Sequence, residues 1–146
     1  MYSRENDVAM GLMNEDKILN QLRYNLCPKY GEEDLVNTKD IYDKYHKYDW
    51  EGTTNGTHFE MKSRRIKKQT YPTTIFPVHK VMKTDKPQVF VFNFTDTTSY
   101  IEYDKDVFDK FKKRTGQTFR DGRYDPPQLQ YEIPVNLLID FVDIPL

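Results

Sequence analysis

The sequence predicts an α/β fold, and three patterns carry that prediction. Val8, Leu12, Leu19, Leu22 and Leu26 form an apolar stripe at helical spacing near the start of the chain. Thr54-Asn55-Gly56-Thr57 is a strong hairpin signal between two segments that can form strands. Val89 to Phe94 alternates Val and Phe with only Asn93 interrupting. That run is apolar on both faces, as a central strand covered by helices on each side should be. At 146 residues the chain is expected to be one domain, 1–146, with a single sizeable core.

The elements follow in order. Residues 1–6 are a polar lead-in, and Asn6 or Asp7 can cap a first helix running to about Leu26. Pro28 and Gly31 end it. Glu15 falls in the gap between Leu12 and Leu19, on the same stripe, flanked by Gly11 and Ile18. A carboxylate there is costly unless something pairs with it; a metal or a lysine on the sheet beneath would do so. At the edge of the stripe it would instead reach solvent. Either Leu35-Val36 or Ile41-Tyr42 supplies a first short strand. Tyr45 to Glu51 and Thr57 to Ile66 form the hairpin. Thr73 or Thr74 caps a short helix through about Met82, with Pro77 in its first turn and Ile75, Val78 and Met82 towards the core. Beyond the central strand, Asp96-Thr97-Thr98 turns the chain and Tyr100 to Tyr103 returns. Asp104 caps a third helix with Val107, Phe108 and Phe111 on one face and Lys112, Lys113 and Arg114 in its last turn. Gln128 to Ile133 reads as a strand, and Pro134 opens a short terminal helix through Leu138.

The hairpin carries the chemistry. With Asn55-Gly56 as a two-residue turn, Thr54 pairs with Thr57, Glu51 with Glu60 and Asp49 with Lys62. Side chains alternate along a strand, so Asp49, Glu51, Glu60 and Lys62 share one side while Trp50, Phe59 and Met61 take the other. Carboxylates beside one ammonium form a divalent-metal site with a proton-handling group next to it. Mg²⁺ takes carboxylate oxygens and keeps several waters. It polarises a phosphoryl oxygen and lowers the pKa of a bound water, while a lysine orients that water. A solvated hairpin with cross-strand salt bridges would use the same residues and gain only about 0–1 kcal/mol per pair. The strand then runs into Arg64, Arg65, Lys67 and Lys68, a basic stretch suited to phosphate contacts or to an ordinary exposed strand end.

Glu15, Asp49 and Glu60-Met61-Lys62, followed by Ser63-Arg64, resemble the PD-(D/E)XK nuclease superfamily over roughly residues 8 to 95. Tyr48 stands where many members have a proline, and Glu51 competes with Asp49 for the metal. The resemblance implies a restriction-endonuclease-like αβββαβ core, a mixed central sheet flanked by helices, here with C-terminal strand and helix additions. It further implies Mg²⁺ or Mn²⁺ dependence and cleavage of DNA. Asp49, Glu60 and the Met61 carbonyl would hold the metal, and Lys62 would position or activate the attacking water. Glu15 would serve a second metal or hold Lys62. Arg64, Arg65, Lys67 and Lys80 become candidates for phosphate contacts. The small size favours a structure-selective or partner-guided enzyme of recombination or repair, and a homodimer able to cut two strands. A nuclease-fold DNA-binding or protein-interaction module without catalysis is the rival.

Composition narrows the alternatives. Charged residues make up 31% of the chain, yet the formal net charge is −1, so any nucleic-acid contact must be a local patch. Cys27 is the single cysteine, which excludes an intrachain disulfide and fits a reducing compartment; a packed thiol at a helix end is its expected role. No apolar run approaches a membrane span and the N-terminus lacks a signal-peptide pattern. The expectation is therefore a soluble intracellular protein of the cytoplasm, or of a host cell nucleus if viral, with no membrane partner. His46, His58 and His79 are too scattered to form a zinc site with one cysteine, and no glycine-rich phosphate loop is present. His58 shares the face of Glu60 and Lys62 and could touch substrate.

Overall fold

A computed structural model describes residues 16–43, 46, 48–116, 119–120, 122–124 and 126–143. Residues 16–25 are helical (α1), and Ile18, Leu22 and Leu26 on one face are fully buried. The chain reverses at Gly31, whose φ of 66° lies in the left-handed region that favours glycine. Of the two candidate first strands, Leu35-Val36 is the one used, as β1 (Leu35–Asn37). Ile41 instead closes a one-turn helix, α2 (Thr38–Ile41), whose first turn is capped by the Asn37 side chain accepting from the Lys39 N–H.

The hairpin strands are β2 (Trp50–Gly52) and β3 (His58–Ser63). β4 (Thr73–Pro77), β5 (Gln88–Asn93) and β6 (Thr98–Glu102) follow. A one-turn helix, α3 (Lys105–Phe108), leads to β7 (Lys113–Gly116), the small pair β8 (Phe119–Arg120) and β9 (Arg123–Tyr124), then β10 (Gln128–Pro134) and β11 (Ile139–Asp140). Six strands make a central sheet in the order β1-β2-β3-β5-β6-β11. β3 and β5 are parallel and every other neighbouring pair in that sheet is antiparallel. A second, antiparallel sheet has the order β4-β10-β7. The architecture is α/β with a mixed multi-stranded sheet and few helices.

Two cores lie on opposite faces of β5. Val89 and Val91 meet α1 through Ile18, Leu22 and Leu26, together with Trp50, Phe59 and Tyr100. Phe90 and Phe92 meet Phe76, Tyr131 and Ile133 of the second sheet, with Phe108 beside them. β5 is covered on both faces, as its two-sided apolar pattern requires, but a sheet replaces the expected helix on the second face. The helix expected from Thr73 or Thr74 to Met82 is corrected accordingly. Thr73, Thr74, Ile75 and Phe76 are β-branched or aromatic, and they alternate between exposed and buried as a strand does. Only a single 3₁₀ turn, Val78–Lys80, follows Pro77.

The third helix is also shorter than expected. Asp104 does cap it, accepting from the N–H groups of Asp106 and Val107, and Phe108 is buried. Lys113 and Arg114, however, belong to β7, where pairing with β10 satisfies their backbone better than a fraying helix end would. The terminal helix expected from Pro134 is one 3₁₀ turn, Val135–Leu137, before β11 joins the central sheet. Among the described residues no helix is long and apolar enough to cross a membrane.

Candidate active site

The β2–β3 hairpin closes through a four-residue loop rather than a two-residue turn. Trp50 pairs with Phe59 and Glu51 with His58, and the Gly52 N–H donates to the Thr57 carbonyl at 2.9 Å. Glu32 is the reason. Its buried carboxylate accepts from the N–H groups of Thr54 and Asn55, and the Asn55 side-chain amide donates to the Tyr30 and Gly31 carbonyls. These tertiary bonds hold the loop open. The predicted pairs of Glu51 with Glu60 and Asp49 with Lys62 are therefore corrected by a two-residue slip. Because side chains repeat every two residues, the slip leaves Glu51, Glu60 and Lys62 on their predicted face, while Asp49 lies just before β2. Phe59 and Met61 pack towards α1, and Glu60 and Lys62 lie on the opposite face.

Asp49 is held from three directions. Its N–H donates to the Phe59 carbonyl at 3.0 Å, and its carbonyl accepts from the Thr38 N–H at 3.0 Å. Its Oδ2 accepts from the Met61 N–H at 2.8 Å. Glu60 is only 6% exposed. Its Oε1 lies 3.7 Å from Lys62 Nζ and 3.6 Å from Lys80 Nζ, while Oε2 is buried without a hydrogen-bond partner. Burial, then the charge of Asp49, pushes the Glu60 pKa up to about 7 despite both lysines. Burial holds the Lys62 pKa below the ordinary lysine range, and Lys80 and Arg64 push the same way.

No family model, curated protein or solved structure shows a significant match to this chain. The chemistry of the site therefore rests on its own geometry.

Asp49, Glu60 and Lys62 are brought together, and Lys80 joins them. Sequence reading placed Lys80 on a helix as a phosphate contact; it sits instead on the 3₁₀ turn of the crossover between parallel strands β3 and β5. The Met82 N–H donates to Gln88 Oε1 at 2.7 Å and Gln88 Nε2 donates back to the Met82 carbonyl at 3.1 Å, which pins the end of that crossover. No local pattern signals the Lys80–Glu60 approach; only the path of the crossover creates it. Glu15 lies outside the described residues; among those described, Ile18 and Leu22 of α1 and Leu26 just after it pack on the Phe59–Met61 face.

Glu51 is engaged by two tyrosine hydroxyls. It accepts from the hydroxyls of Tyr48 at 2.6 Å and Tyr42 at 3.1 Å. His58 stacks on Tyr48 with centroids 3.9 Å apart, and burial lowers its pKa. Tyr48 in turn meets His46 edge-on, and His46 stacks on Tyr42. This ladder of rings was not apparent from the sequence, because the four residues come from two separate segments.

Arg64 is bonded within the fold. Its Nη2 donates to the Ile75 carbonyl at 2.6 Å, its Nε donates to Thr74 Oγ1 at 3.3 Å, and its guanidinium lies over the Phe92 ring. It ties β4 to the central sheet. Arg65 and Lys67 lie exposed beyond β3. Lys68 is buried and pairs with Asp140 at 2.8 Å.

The described residues contain no cluster of three or more His, Cys, Asp or Glu side chains suited to a metal. Two carboxylates and a backbone carbonyl nonetheless fit Mg²⁺, which commonly binds protein through one or two carboxylates and keeps waters for the rest. The unpartnered, buried Oε2 of Glu60 is the observation that favours such an ion, since a buried carboxylate oxygen without a partner is costly.

Proposed function

We propose that this chain is a Mg²⁺- or Mn²⁺-dependent deoxyribonuclease, an endonuclease of structure-selective, recombination or repair type on a restriction-endonuclease-like core. The convergence of Asp49, Glu60 and Lys62 around an unpartnered carboxylate oxygen carries the reading. Asp49 and Glu60 would hold the ion with the Met61 carbonyl, and Glu15 is the proposed further contributor. When bound, the ion supplies Lewis-acid polarisation of the scissile phosphate and a more acidic water. Lys62, two residues along a rigid strand from Glu60, positions the attacking water against the phosphorus. Its lowered pKa lets the amine exchange a proton near neutral pH more readily than a solvated lysine does. Arg65, Lys67 and Lys80 are the phosphate contacts this reading retains. DNA and a second copy of the chain are the proposed partners, inside the cell in the cytoplasm or a host nucleus.

A DNA-binding or protein-interaction module on the same fold is favoured by one observation: two lysines already flank Glu60, so charge in the site is partly balanced internally. Cleavage of supercoiled, linear, single-stranded and branched DNA with Mg²⁺, Mn²⁺ or EDTA separates the two readings. The expected result is metal-dependent cleavage that falls by on the order of 100-fold or more in Lys62→Ala and Glu60→Ala. Equal cutting by all three proteins would expose a contaminant. Absence of cutting on every substrate by the unaltered chain would favour the binding module.

A further inference from the structure

We propose that the two-stranded ribbon of β7 and the first half of β10, with the β8–β9 pair that the chain forms between them, is an arm that grips the phosphate backbone of duplex DNA beside the site. The inference rests on the DNA reading above and adds the surface that holds the substrate.

Residues 110–125 carry Lys110, Lys112, Lys113, Arg114, Arg120 and Arg123 against Asp121 and Asp125, a formal +4 in a chain whose total is −1. Charge of one sign gathered on one segment suits contact with a polyanion. These cations do not serve a helix end: α3 stops at Phe108, and Lys113 and Arg114 lie on β7. β4 pairs with residues 130–134 of β10, whereas β7 pairs with 128–131. At Gln128 and Leu129 the ribbon has therefore left its third strand, and both residues are exposed, as are Lys112 and Arg123. A strand covered on one face buries every second residue. Lys113, Arg114 and Thr115 are exposed in succession, so both faces of β7 are open. Arg114 has Glu132 at 3.9 Å, beyond the roughly 2.7–2.9 Å of a charge-assisted hydrogen bond, and Lys113 stands over the Tyr131 ring at 5.5 Å. Neither contact commits the cation to a close acceptor. Between β8 and β9 the register sets Arg120 opposite Arg123. Like charges in directly opposed positions are destabilising. Lysines on an edge strand also discourage stray strand pairing, but that role does not call for two opposed arginines. A polyanion beside them turns repulsion into attraction.

The ribbon belongs to the sheet on the same side as the site. Glu60 and Lys62 pair with Phe90 and Phe92, which meet the second sheet. Within that sheet Pro77, Gln130 and Arg114 lie in one row, about 10 Å across three strands. The turn that carries Lys80 begins at the next residue, Val78. Duplex DNA presents a charge about every 1.7 Å of its axis, and its major groove admits a two-stranded ribbon. One duplex can thus meet the arm and Lys80 together.

The test measures binding of a fluorescein-labelled DNA duplex to the full chain by anisotropy across a range of KCl, in EDTA and separately in Ca²⁺. Lys112→Gln/Lys113→Gln/Arg123→Gln removes three cations of the arm, and Lys17→Gln/Lys29→Gln/Lys39→Gln removes three exposed cations elsewhere as a matched control. The slope of log affinity against log salt should fall by about 2–3 in the arm variant and stay unchanged in the control. In parallel, acetylation of the unaltered chain is followed by mass spectrometry with and without the duplex, which reads the arm even if the variant fails to fold. Lys112 and Lys113 should be protected and Lys29 should not. Equal slopes in the arm variant and the unaltered chain, equal losses in the arm and control variants, or unprotected Lys112 and Lys113 would overturn the arm while leaving the DNA reading in place. Tighter binding of an RNA duplex of the same sequence would overturn DNA as the occupant. Failure of the unaltered chain to bind any duplex would overturn the arm and the DNA reading together.

Discussion

Glu60 shows how much one desolvated carboxylate governs. Its pKa rises from an ordinary 4.5 to about 7, with burial as the main cause. The folded chain then binds a proton more tightly than the unfolded chain between those values. The resulting stability is fully present below about pH 4.5 and is lost as pH rises through about 7. In EDTA, thermal melts should show stability declining across that window by on the order of 2–3 kcal/mol, and Glu60→Gln should flatten the decline. A slope identical in Glu60→Gln would mean that another group titrates. The shared face of Glu60 and Lys62 was legible in the sequence because strand alternation dictates it, whereas Asp49 lies just before β2 and is placed by accepting from the Met61 N–H. Cys27 was legible too: it packs beside Leu26 and Leu22, and burial raises its thiol pKa to about 11. The approach of Lys80 was not, because seventeen intervening residues separate it from Lys62 in sequence without local regularity.

Among the elements, the hairpin depends on a residue that belongs to neither strand. Glu32 holds the 53–56 loop, and a Cβ built on Gly52 would lie 1.8 Å from its Oε2. Gly52→Ala must push that carboxylate away, so it loses the same loop hydrogen bonds that Glu32→Ala removes. Each variant should cost about 1–3 kcal/mol in urea unfolding, the usual range for bonds to a charged acceptor. The double variant should be little worse than either alone. Additive losses would show that Gly52 matters for some other reason. The asparagine–glycine pair announced the hairpin but not its loop length, since the bonds that widen the loop come from a segment more than twenty residues earlier. A similar limit explains the strand at Thr73–Pro77. Threonine before a proline suits a helix start, but β10 offers a complete ladder to a β-branched segment, and pairing outweighs the cap.

For the molecule as a whole, stability depends on joining two sheets through aromatic side chains. Phe76 of β4 is fully buried and stacks on Phe90 of β5 with centroids 4.0 Å apart. Phe76→Ala should cost about 3–5 kcal/mol, measured by chemical denaturation. Arg64 crosses the same junction, so Arg64→Ala should lower stability by about 1–3 kcal/mol. It should leave the salt dependence of DNA binding unchanged, whereas loss of a true phosphate contact would reduce that slope by about 1. A reduced slope with unchanged stability would return Arg64 to the nucleic-acid surface.

Periodicity in the chain was enough to specify an α/β class, a doubly covered central strand, the apolar face of the first helix and the face on which the acid–lysine set projects. Those properties depend on spacing along one segment, and side-chain geometry enforces them locally. The second sheet, the open hairpin loop, the inward turn of Arg64 and the meeting of Lys80 with Glu60 arise from segments distant in sequence. Each is settled by which partner best satisfies backbone bonds and buried charge once the chain has closed on itself.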